Sequence, residues 1–424
     1  MKLGDIDLTD VHVFEQGVPH DYFAFLRQEH PVSWTPRPNG TGFWSVTRYN
    51  DITEVENNVE VFSNRTNVTP ADVPEETLAA TVDRMIILSD PPRHGALRKL
   101  IMSGFTPKAI AQIEEHIRQL AVDSIDAVIE DGSCDFHDLA AHMPIEVVAD
   151  LLGVPTEDRQ KLFNWANAIF GGGDPRVSSH AGMERARQEM FGYAMKLAVQ
   201  RRAQPGDDVF SQVALAEMDG EKLSEFDLGC FFMILATAGN ETTRTQILHA
   251  TKLLIENPTA MQLLRDDLSL LPNAIEEMLR ITAPALGFAR KATQDYVLAG
   301  QTIKAGEQVV MWFCSGSRDE EVFANPNHFD ILRKNARDHM AFGSKTGIHR
   351  CLGAMLARSE LMAIIKEVVT RLPDIRLDGE VERLRSNFTN GINHMPVRFS
   401  PGKANRAQRI SFYAGNADKS YTHA

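Results

Sequence analysis

Phe342 to Gly353 read FGSKTGIHRCLG, and the helix-forming residues Ala354 to Leu361 follow at once. Three glycines make this stretch an irregular loop that ends at the start of a helix. A cysteine at such a place meets backbone N–H groups and the positive end of the helix dipole, which favour its thiolate. A thiolate can ligate iron, whereas a lone cysteine elsewhere is usually a small buried hydrophobe. Cys351 is therefore the candidate metal ligand.

The loop resembles the haem-binding loop of the cytochromes P450, the haem-thiolate monooxygenases, whose usual form is Phe-Gly-x-Gly-x-His-x-Cys-x-Gly. The match is complete from Gly347 to Gly353. Phe342 lies nine residues before Cys351 where the family pattern has seven, so Lys345-Thr346 has the appearance of an insertion. The resemblance implies haem b, with Cys351 on the iron and with Phe342 and Gly353 beside the cofactor. The two extra residues are predicted to bulge towards the face that receives a redox partner.

The bulk composition excludes several other classes of protein. The chain has 424 residues, 43% of them hydrophobic, and a net charge of −13, which argues against nucleic-acid binding. The four cysteines are far apart and contain no Cys-x-x-Cys pair, which argues against zinc or a disulfide framework and is typical of a reducing cytosol. The N-terminus has no apolar run. We therefore expect a cytoplasmic protein without a signal peptide or membrane anchor.

The periodicity along the chain predicts a mainly α fold with small β-sheets, of the α+β class. A hairpin is predicted from Val32 to Thr47 around Pro38-Asn39-Gly40, and strands are predicted in 296–310. Apolar residues at three- and four-residue spacing predict long helices over 109–129, 184–203, 225–256 and 259–281. No linker is visible, so a single domain over 1–424 is expected, with a polar and basic tail, about 402–424, predicted to be mobile. The resemblance implies the cytochrome P450 fold, with haem between a long distal helix and the proximal helix after the Cys351 loop.

The predicted helix over 225–256 carries a glycine and two threonines near its middle, which disfavour a helix interior. Ala238 and Thr242 lie four residues apart and share a face. The segment resembles the family's Ala-Gly-x-Asp/Glu-Thr-Thr motif, which implies that Ala238 faces the haem, Thr242 hydrogen-bonds dioxygen and Glu241 helps to bring protons. The alternative is that the Thr242 hydroxyl bonds back to the preceding helical turn.

Glu277 and Arg280 lie three apart on a predicted helix. Such pairs are common on solvated helices, where they contribute a few tenths of a kcal/mol. Here the pair resembles the family's Glu-x-x-Arg, which implies a buried structural ion pair. The third member of that arrangement is expected at His328, in a position where the family often has an arginine.

Buried haem propionates need cationic or N–H partners. Four residues match the positions at which the family supplies these propionate partners: His94, Arg98, Arg290 and His349. Each of them, considered alone, would be assigned to the protein surface. His94 and Arg98 lie four apart on a helix predicted to begin after Pro91-Pro92.

The resemblance also implies which segments contact the substrate: a loop over 64–86, a lid over 163–177, a segment along the edge of the haem over 283–288 and a turn over 388–392. The expected pocket residues are Ile86, Phe170, Leu235, Ala285, Leu286, Phe388 and Thr389. The last two segments are mainly apolar, which favours a hydrophobic substrate. A finer resemblance to hydroxylases of sterol side chains and branched lipids favours a terpenoid, a steroid or a branched lipid. Arg65 is interpreted as a solvated loop residue rather than a binder of a substrate carboxylate.

The implied reaction inserts one oxygen atom of O2 into a C–H bond. Its electrons are expected from a ferredoxin and an NAD(P)H-dependent reductase, which would dock on a basic patch formed by Lys99, Arg337, Lys345 and Arg350. The protein is expected to be a monomer. Two alternatives stay open: a haem-thiolate enzyme of another type (a peroxygenase, or an oxidative ring-forming or demethylating biosynthetic enzyme) and a non-enzymatic haem carrier or sensor.

Overall fold

The computed structural model describes residues 1–73, 75–171, 174–218 and 220–405. The chain folds into two compact units. Unit 1 consists of Met1–Gly95, Glu276–Leu352 and Arg385–Asn390, and unit 2 consists of Ala96–Ile275, Gly353–Leu384 and Gly391–Ala424. Residues 406–424, in which most of the predicted mobile tail lies, are outside the described residues, as are Gly172 and Gly173 of the predicted lid. The single domain over 1–424 stays a prediction.

Helices dominate the described residues. The α-helices are α1 Val11–Gln16, α2 His20–Glu29, α3 Tyr49–Asn57, α4 Glu75–Leu78, α5 Arg93–Ile101, α6 Pro107–Asp126, α7 Phe136–Leu151, α8 Arg159–Phe170, α9 His180–Ala203, α10 Val209–Leu215, α11 Glu225–Glu256, α12 Pro258–Asp266, α13 Leu271–Thr282, α14 Phe313–Gly316 and α15 Ala354–Arg371. None of those described helices is long and apolar enough to cross a membrane.

The strands in the same residues are short. They are β1 Val32–Pro36, β2 Gly42–Val46, β3 Phe62–Ser63, β4 Ser133–Asp135, β5 Glu217–Met218, β6 Glu221–Lys222, β7 Phe288–Ala292, β8 Tyr296–Leu298, β9 Gln301–Ile303, β10 Gln308–Met311, β11 Arg376–Leu377, β12 Glu382–Arg383, β13 Ile392–His394 and β14 Pro396–Arg398. The helical fold with small sheets agrees with the predicted α+β class.

Unit 1 is built on a five-stranded sheet with the order β1-β2-β10-β7-β3. The predicted hairpin is confirmed, since β1 pairs antiparallel with β2 in the register Val32 to Val46. Alternate strand residues enter two apolar clusters, and Trp312 lies in one of them against Phe23, with 5.2 Å between the ring centroids. This sheet places Arg290 of β7 in the interior.

Unit 2 is organised around α11, which packs against α7, α8, α9, α10 and α15. Ser224 begins the helix as a capping box with Asp227, because each residue's side chain accepts the other's backbone N–H. The 32 residues of α11 span about 48 Å. Gly239 lets α7 approach closely, since a Cβ there would lie 2.8 Å from the Val148 Cγ2 atom.

The helix predicted over 225–256 is confirmed to the residue, whereas the single helix predicted over 259–281 is wrong. That segment forms α12 and α13, separated by Asp267 and the 3-10 turn Leu268–Leu270. Asp267 adopts an extended conformation, and its carboxylate accepts the Ser269 amide at 2.9 Å. A local side-chain bond of this kind competes with the helical hydrogen bond, and Pro272 then favours a new helix start.

Candidate active site

The Cys351 loop is closed by backbone hydrogen bonds. The Cys351 amide donates to the Phe342 carbonyl at 2.9 Å, and the Arg350 amide donates to the Gly347 carbonyl at 3.1 Å. The Phe342 backbone therefore reaches Cys351 although the loop is longer than the family pattern. α15 begins three residues later, at Ala354.

The two extra residues form the exposed crest of the loop. Lys345 and Thr346 are both exposed, and each is held by a residue of unit 1. The Lys345 ammonium forms an ion pair with Asp338, and the Asn57 side-chain amide donates to the Thr346 hydroxyl at 2.9 Å. The insertion thus bulges outwards while the ends of the loop stay together. Its orientation towards a redox partner stays a prediction.

The base of the same loop surrounds Glu56, a residue that the sequence reasoning missed. Glu56 is 4% exposed and accepts the Ser344 amide, while the Ser344 hydroxyl accepts the Gly347 amide at 3.0 Å. Burial raises the pKa of Glu56 above its usual value, although the nearby Arg290 guanidinium and the Ser344 hydrogen bonds oppose the shift. A glutamate in an ordinary amphipathic helix gives no signal of this contact.

Three of the four predicted propionate partners belong to unit 1. The rings of His94 and His349 lie together, with 4.1 Å between their centroids. Arg290 is buried, and its guanidinium is 4.0 Å from the Glu56 carboxylate. Burial lowers the pKa of Arg290 below its usual value, although Glu56 and Asp90 oppose the shift. Arg98, half-buried on α5, belongs to unit 2.

Glu277 and Arg280 form a fully buried ion pair, and the prediction of His328 as its third member is wrong. Arg333 takes that place, with its Nε 3.1 Å from the Glu277 carboxylate. His328 is exposed and contributes only its backbone carbonyl, which accepts from Arg280 at 3.2 Å and from Arg333 at 3.1 Å. The arginine lies five residues further along the chain than the sequence reasoning placed it.

One face of α11 stays partly open near the middle of the helix. Leu235, Ala238 and Thr242 are partly or fully exposed, although most neighbouring positions are buried. Their spacing places them on one face, as predicted for Ala238 and Thr242. The Thr242 hydroxyl donates to the Ala238 carbonyl at 2.7 Å, so the bond to the preceding turn is formed. The oxygen of that hydroxyl keeps its capacity to accept a hydrogen bond.

Glu241 lies on a buried side of the same helix and is 3% exposed. Its carboxylate forms an ion pair with Arg244 and accepts the Thr245 hydroxyl at 3.2 Å. Arg244 also donates to the Asn167 side-chain oxygen on α8 at 2.7 Å. Sequence reasoning missed Arg244, although the signal was present, since Glu241 and Arg244 repeat the Glu-x-x-Arg spacing of Glu277 and Arg280.

Four of the predicted pocket residues are brought together in unit 1. Ala285 and Thr389 form an antiparallel bridge, and the Leu286 amide donates to the Phe388 carbonyl at 2.8 Å. The rings of Phe288 and Phe388 meet edge to face, with 5.4 Å between their centroids. The others lie on separate elements: Ile86 in a 3-10 turn of unit 1, and Phe170 at the end of α8 and Leu235 in α11, both of unit 2.

Comparison with known proteins decides the family. The family model described as Cytochrome P450 matches residues 176–374. The steroid C26-monooxygenase of Mycobacterium tuberculosis is 38% identical over 408 residues, which cover 93% of this chain and 92% of that protein. The chain belongs to the cytochrome P450 family. This P450 is also 37% identical to the methyl-branched lipid omega-hydroxylase of the same organism over 414 residues, 94% of this chain and 96% of that protein.

Solved structures of the family have the same fold as this P450. The Mycobacterium marinum cytochrome P450 CYP268A2 in complex with pseudoionone superposes with a TM-score of 0.85. It shares 37% sequence identity, and the match covers 91% of this chain and 97% of that chain. This P450 is accordingly a monooxygenase, and haem is its cofactor.

The residues present fit haem. Unit 1 offers the Cys351 thiol at the end of a closed loop, together with the buried Arg290 guanidinium and two adjacent imidazoles. A soft sulfur ligand and nearby cations are the donor set that haem iron and its propionates require. In unit 2, the small side chain of Ala238 lies on the open face of α11. A flat ring can approach a helix backbone only where side chains are small.

Proposed function

We propose that this P450 hydroxylates the end of an apolar branched chain, such as a steroid side chain or a methyl-branched lipid. The observation that carries the proposal is the similarity over almost the whole chain to two enzymes whose names describe such substrates. Carbon 26 of a steroid and the omega carbon of a lipid are both chain ends. Among the predicted pocket residues of unit 1, Phe388 offers a partly exposed aromatic side chain that is suited to contact such a chain.

Cys351 is the proposed ligand of the haem iron, and His94, Arg98, Arg290 and His349 are the proposed partners of the haem propionates. Haem, when bound, supplies the redox centre at which O2 is reduced, and a thiolate ligand favours cleavage of the O–O bond. The protein orients the substrate and controls the protons. Arg290 supports this assignment because a buried cation gains most from an additional anionic partner.

Thr242 and Glu241 are the proposed groups that hold and move protons. The Thr242 hydroxyl can accept a hydrogen bond as it lies, and it can donate one after rotation away from the Ala238 carbonyl. Glu241 is tied to Arg244 and Thr245. The Glu241 carboxylate can exchange a proton with the open face of α11 only after its ion pair with Arg244 breaks. Breaking of this pair would therefore control when a proton is delivered.

The ion pairing of Arg65 favours a substrate that has no carboxylate to bind to this arginine. Arg65 forms an ion pair with Asp83, with 2.7 Å between the charged atoms. The carboxylate of Asp83 already neutralises this guanidinium. An uncharged lipid tail or a sterol side chain is therefore the better fit.

Electrons are proposed to come from a ferredoxin supplied by an NAD(P)H-dependent reductase. Arg337 is 71% exposed, so its guanidinium is accessible at the surface although the Glu276 carboxylate lies 3.9 Å away. Charge reversal in Arg337→Glu should slow reduction by ferredoxin and weaken its dependence on salt. Arg265→Glu makes the same charge change at an exposed position of α12 and should have no effect. A salt-independent rate in the wild-type enzyme would contradict electrostatic docking.

The deciding experiment is a spectral titration of the ferric holoenzyme with cholestenone, a methyl-branched fatty alcohol and a linear fatty alcohol of equal carbon number. We expect the two branched compounds to displace the sixth ligand at lower concentrations than the linear one. Turnover under labelled O2 with ferredoxin, reductase and NAD(P)H should then give a product labelled in a terminal hydroxyl group.

Four other outcomes would contradict parts of the proposal. Turnover with peroxide alone, but not with NAD(P)H, would show a peroxygenase. A ring-closed or demethylated product would show another oxidative type. Absence of ligand displacement and of turnover with every compound would favour a haem carrier or sensor. A ferrous–CO spectrum without the thiolate signature would exclude Cys351 as the ligand.

A further inference from the structure

Glu56 is a buried carboxylate that belongs neither to the proposed substrate pocket nor to the proton-transfer residues. It lies near the C-terminal end of α3, one residue before Asn57, and is 4% exposed. Ile52 and Val55 of the same helix are fully buried in the apolar core. A carboxylate placed so deeply costs free energy unless fixed partners compensate for the lost water. Its partners therefore indicate what it does.

The first partner is the base of the Cys351 loop. The Ser344 amide donates to the Glu56 Oε2 atom. Gly343 has a φ of +81°, and a Cβ there would lie 3.1 Å from the Glu56 Oε1 atom. At Gly347 a Cβ would lie 3.5 Å from the Glu56 Cβ atom. The loop thus folds closely around the carboxylate, and Gly343 permits the approach.

The second partner is Arg290, the proposed propionate partner on β7. Its guanidinium is 4.0 Å from the Glu56 Oε1 atom, and both side chains are buried. A buried guanidinium without an anion would be strongly unfavourable before haem binds. Glu56, together with Asp90, favours the charged form of Arg290 in the interior. One carboxylate therefore touches both the loop that carries the thiolate and the cation assigned to a propionate.

The neighbouring residue holds the rest of the lengthened loop. The Asn57 amide donates to the Thr346 hydroxyl at the exposed crest. Glu56 and Asn57 thus contact the two levels of the same loop, the buried base and the solvent-exposed top. A longer loop has more conformations to lose on folding, so it requires additional fixed contacts.

We propose that Glu56 is a positioning residue of the haem-thiolate centre, which braces the lengthened half of the Cys351 loop and balances the charge of Arg290. The inference rests on the proposed roles of Cys351 as ligand and of Arg290 as propionate partner. Glu56 is neither the proposed iron ligand nor one of the proposed pocket residues, and it acts through Ser344 and Arg290.

Three substitutions separate the two contacts. Glu56→Gln keeps an oxygen that can accept the Ser344 amide but removes the negative charge. Glu56→Ala removes both, and Asn57→Ala removes only the bond to Thr346 at the crest. Glu60→Gln is the matched control, because it removes the same charge from an exposed position four residues further on.

The measurements use the holoenzyme and do not depend on turnover. The midpoint potential of Glu56→Gln should shift to more positive values, since loss of a negative charge near the centre disfavours the ferric form, while its ferrous–CO thiolate signature persists. In Glu56→Ala, amide hydrogen exchange of residues 342–351 should accelerate about tenfold to a hundredfold, the effect of losing a hydrogen bond to a charged group. Part of its ferrous–CO complex should also lose the thiolate signature.

The controls decide between outcomes. Asn57→Ala should accelerate exchange at 345–346 only and leave the potential unchanged. If Glu56→Gln and Glu56→Ala both match Glu60→Gln in potential and in exchange, the inference is wrong. If Glu56→Ala does not fold, Glu56→Gln still tests the charge effect. A wild-type enzyme without the thiolate signature would instead overturn the proposed function itself.

Discussion

Two Glu-x-x-Arg pairs in this P450 have the same sequence pattern but differ in how many hydrogen-bond partners their arginines have. Glu277 and Arg280 lie on α13, and Glu241 and Arg244 lie on α11. Both pairs are buried ion pairs with a spacing of three residues. Nothing in the local pattern distinguishes them, so their difference comes from what surrounds each arginine.

Arg280 has an acceptor for each of its N–H groups. Its Nε and Nη2 atoms donate to Glu277, and its Nη1 and Nη2 atoms also donate to the carbonyls of Ser317, Pro326 and His328. Arg244 has fewer partners: it donates to Glu241 and Asn167, and among the described residues its buried Nε atom has no acceptor. A fully satisfied pair fixes structure, whereas an incompletely satisfied one can exchange partners during a reaction.

The largest expected effect comes from breaking the satisfied pair. Glu277→Gln would leave Arg280 and Arg333 as buried cations without their shared anion, at a cost of about 3–5 kcal/mol. This is a large part of an ordinary free energy of unfolding, so little haem-loaded protein should accumulate. Urea unfolding and the yield of the ferrous–CO thiolate signature measure the effect.

The matched control is Glu256→Gln in the Lys252–Glu256 pair at the C-terminal end of α11. Glu256 is 47% exposed, and loss of this i,i+4 pair should cost only about 0.3–0.5 kcal/mol. If Glu277→Gln were as stable as Glu256→Gln, the structural role of the buried pair would be disproved.

The second effect concerns the less satisfied pair. Glu241→Gln should lower coupled turnover by about a hundredfold, because a positioned acid is worth that much or more in proton transfer. The double variant Glu241→Gln/Arg244→Gln removes both charges and should recover most of the lost stability without recovering turnover. Stopped-flow reduction, product yield and urea unfolding give the three readouts. Recovery of turnover in the double variant would show that the Glu241–Arg244 pair only stabilises the fold, as Glu277 and Arg280 do, and does not deliver protons.

A buried glutamate without an arginine extends the comparison. Glu360 of α15 is 2% exposed, its Oε1 atom has no partner among the described residues, and burial raises the pKa of its carboxyl to about 8. This folded-state pKa lies above the unfolded value of about 4.3. The preference for the neutral form therefore contributes fully to the free energy of unfolding below about pH 4.3. The contribution is lost as the pH rises through about 8.

The test compares the wild-type enzyme with Glu360→Gln. Between about pH 5 and 8, the free energy of unfolding of the wild type should fall by about 1.4 kcal/mol per pH unit relative to the variant. Urea unfolding at several pH values measures the difference. Parallel pH profiles for the two proteins would show that Glu360 does not take up a proton on folding.

The smallest effect tests the link from α8 to Glu241. Asn167→Ala removes one acceptor from Arg244 and should loosen the Glu241–Arg244 pair. The change in coupling should be about two- to fivefold, less than the full worth of the lost bond because Arg244 keeps its contact with Glu241. Asn164→Ala, one turn earlier on α8, removes an equal side chain whose only hydrogen bond to a described residue is with Gln160 of its own helix. Peroxide released per NAD(P)H consumed is the measurement. Equal coupling in both variants would remove Asn167 from the proton-delivery arrangement.

Helices and strands that are determined by local sequence signals could be predicted from the sequence. The α11 boundaries follow from a capping box and a long apolar period, and the β1–β2 hairpin follows from alternation around Pro38-Asn39-Gly40. The predicted single helix over 259–281 failed because one side-chain bond of Asp267 outweighed a continuous period. His328 was chosen for its position relative to a family pattern, whereas the chain path brings Arg333 to Glu277.

By itself, the sequence determined the chemistry available to this P450: a cysteine before a helix, an acid and a hydroxyl within a helix, and two Glu-x-x-Arg pairs. These features are local, because helical spacing fixes which side chains share a turn. Only the tertiary structure decided which carboxylates gain a cation and which backbone groups they hold, as Glu56 does with Arg290 and Ser344. Those contacts join residues that are far apart in the chain, and burial makes their charges decisive.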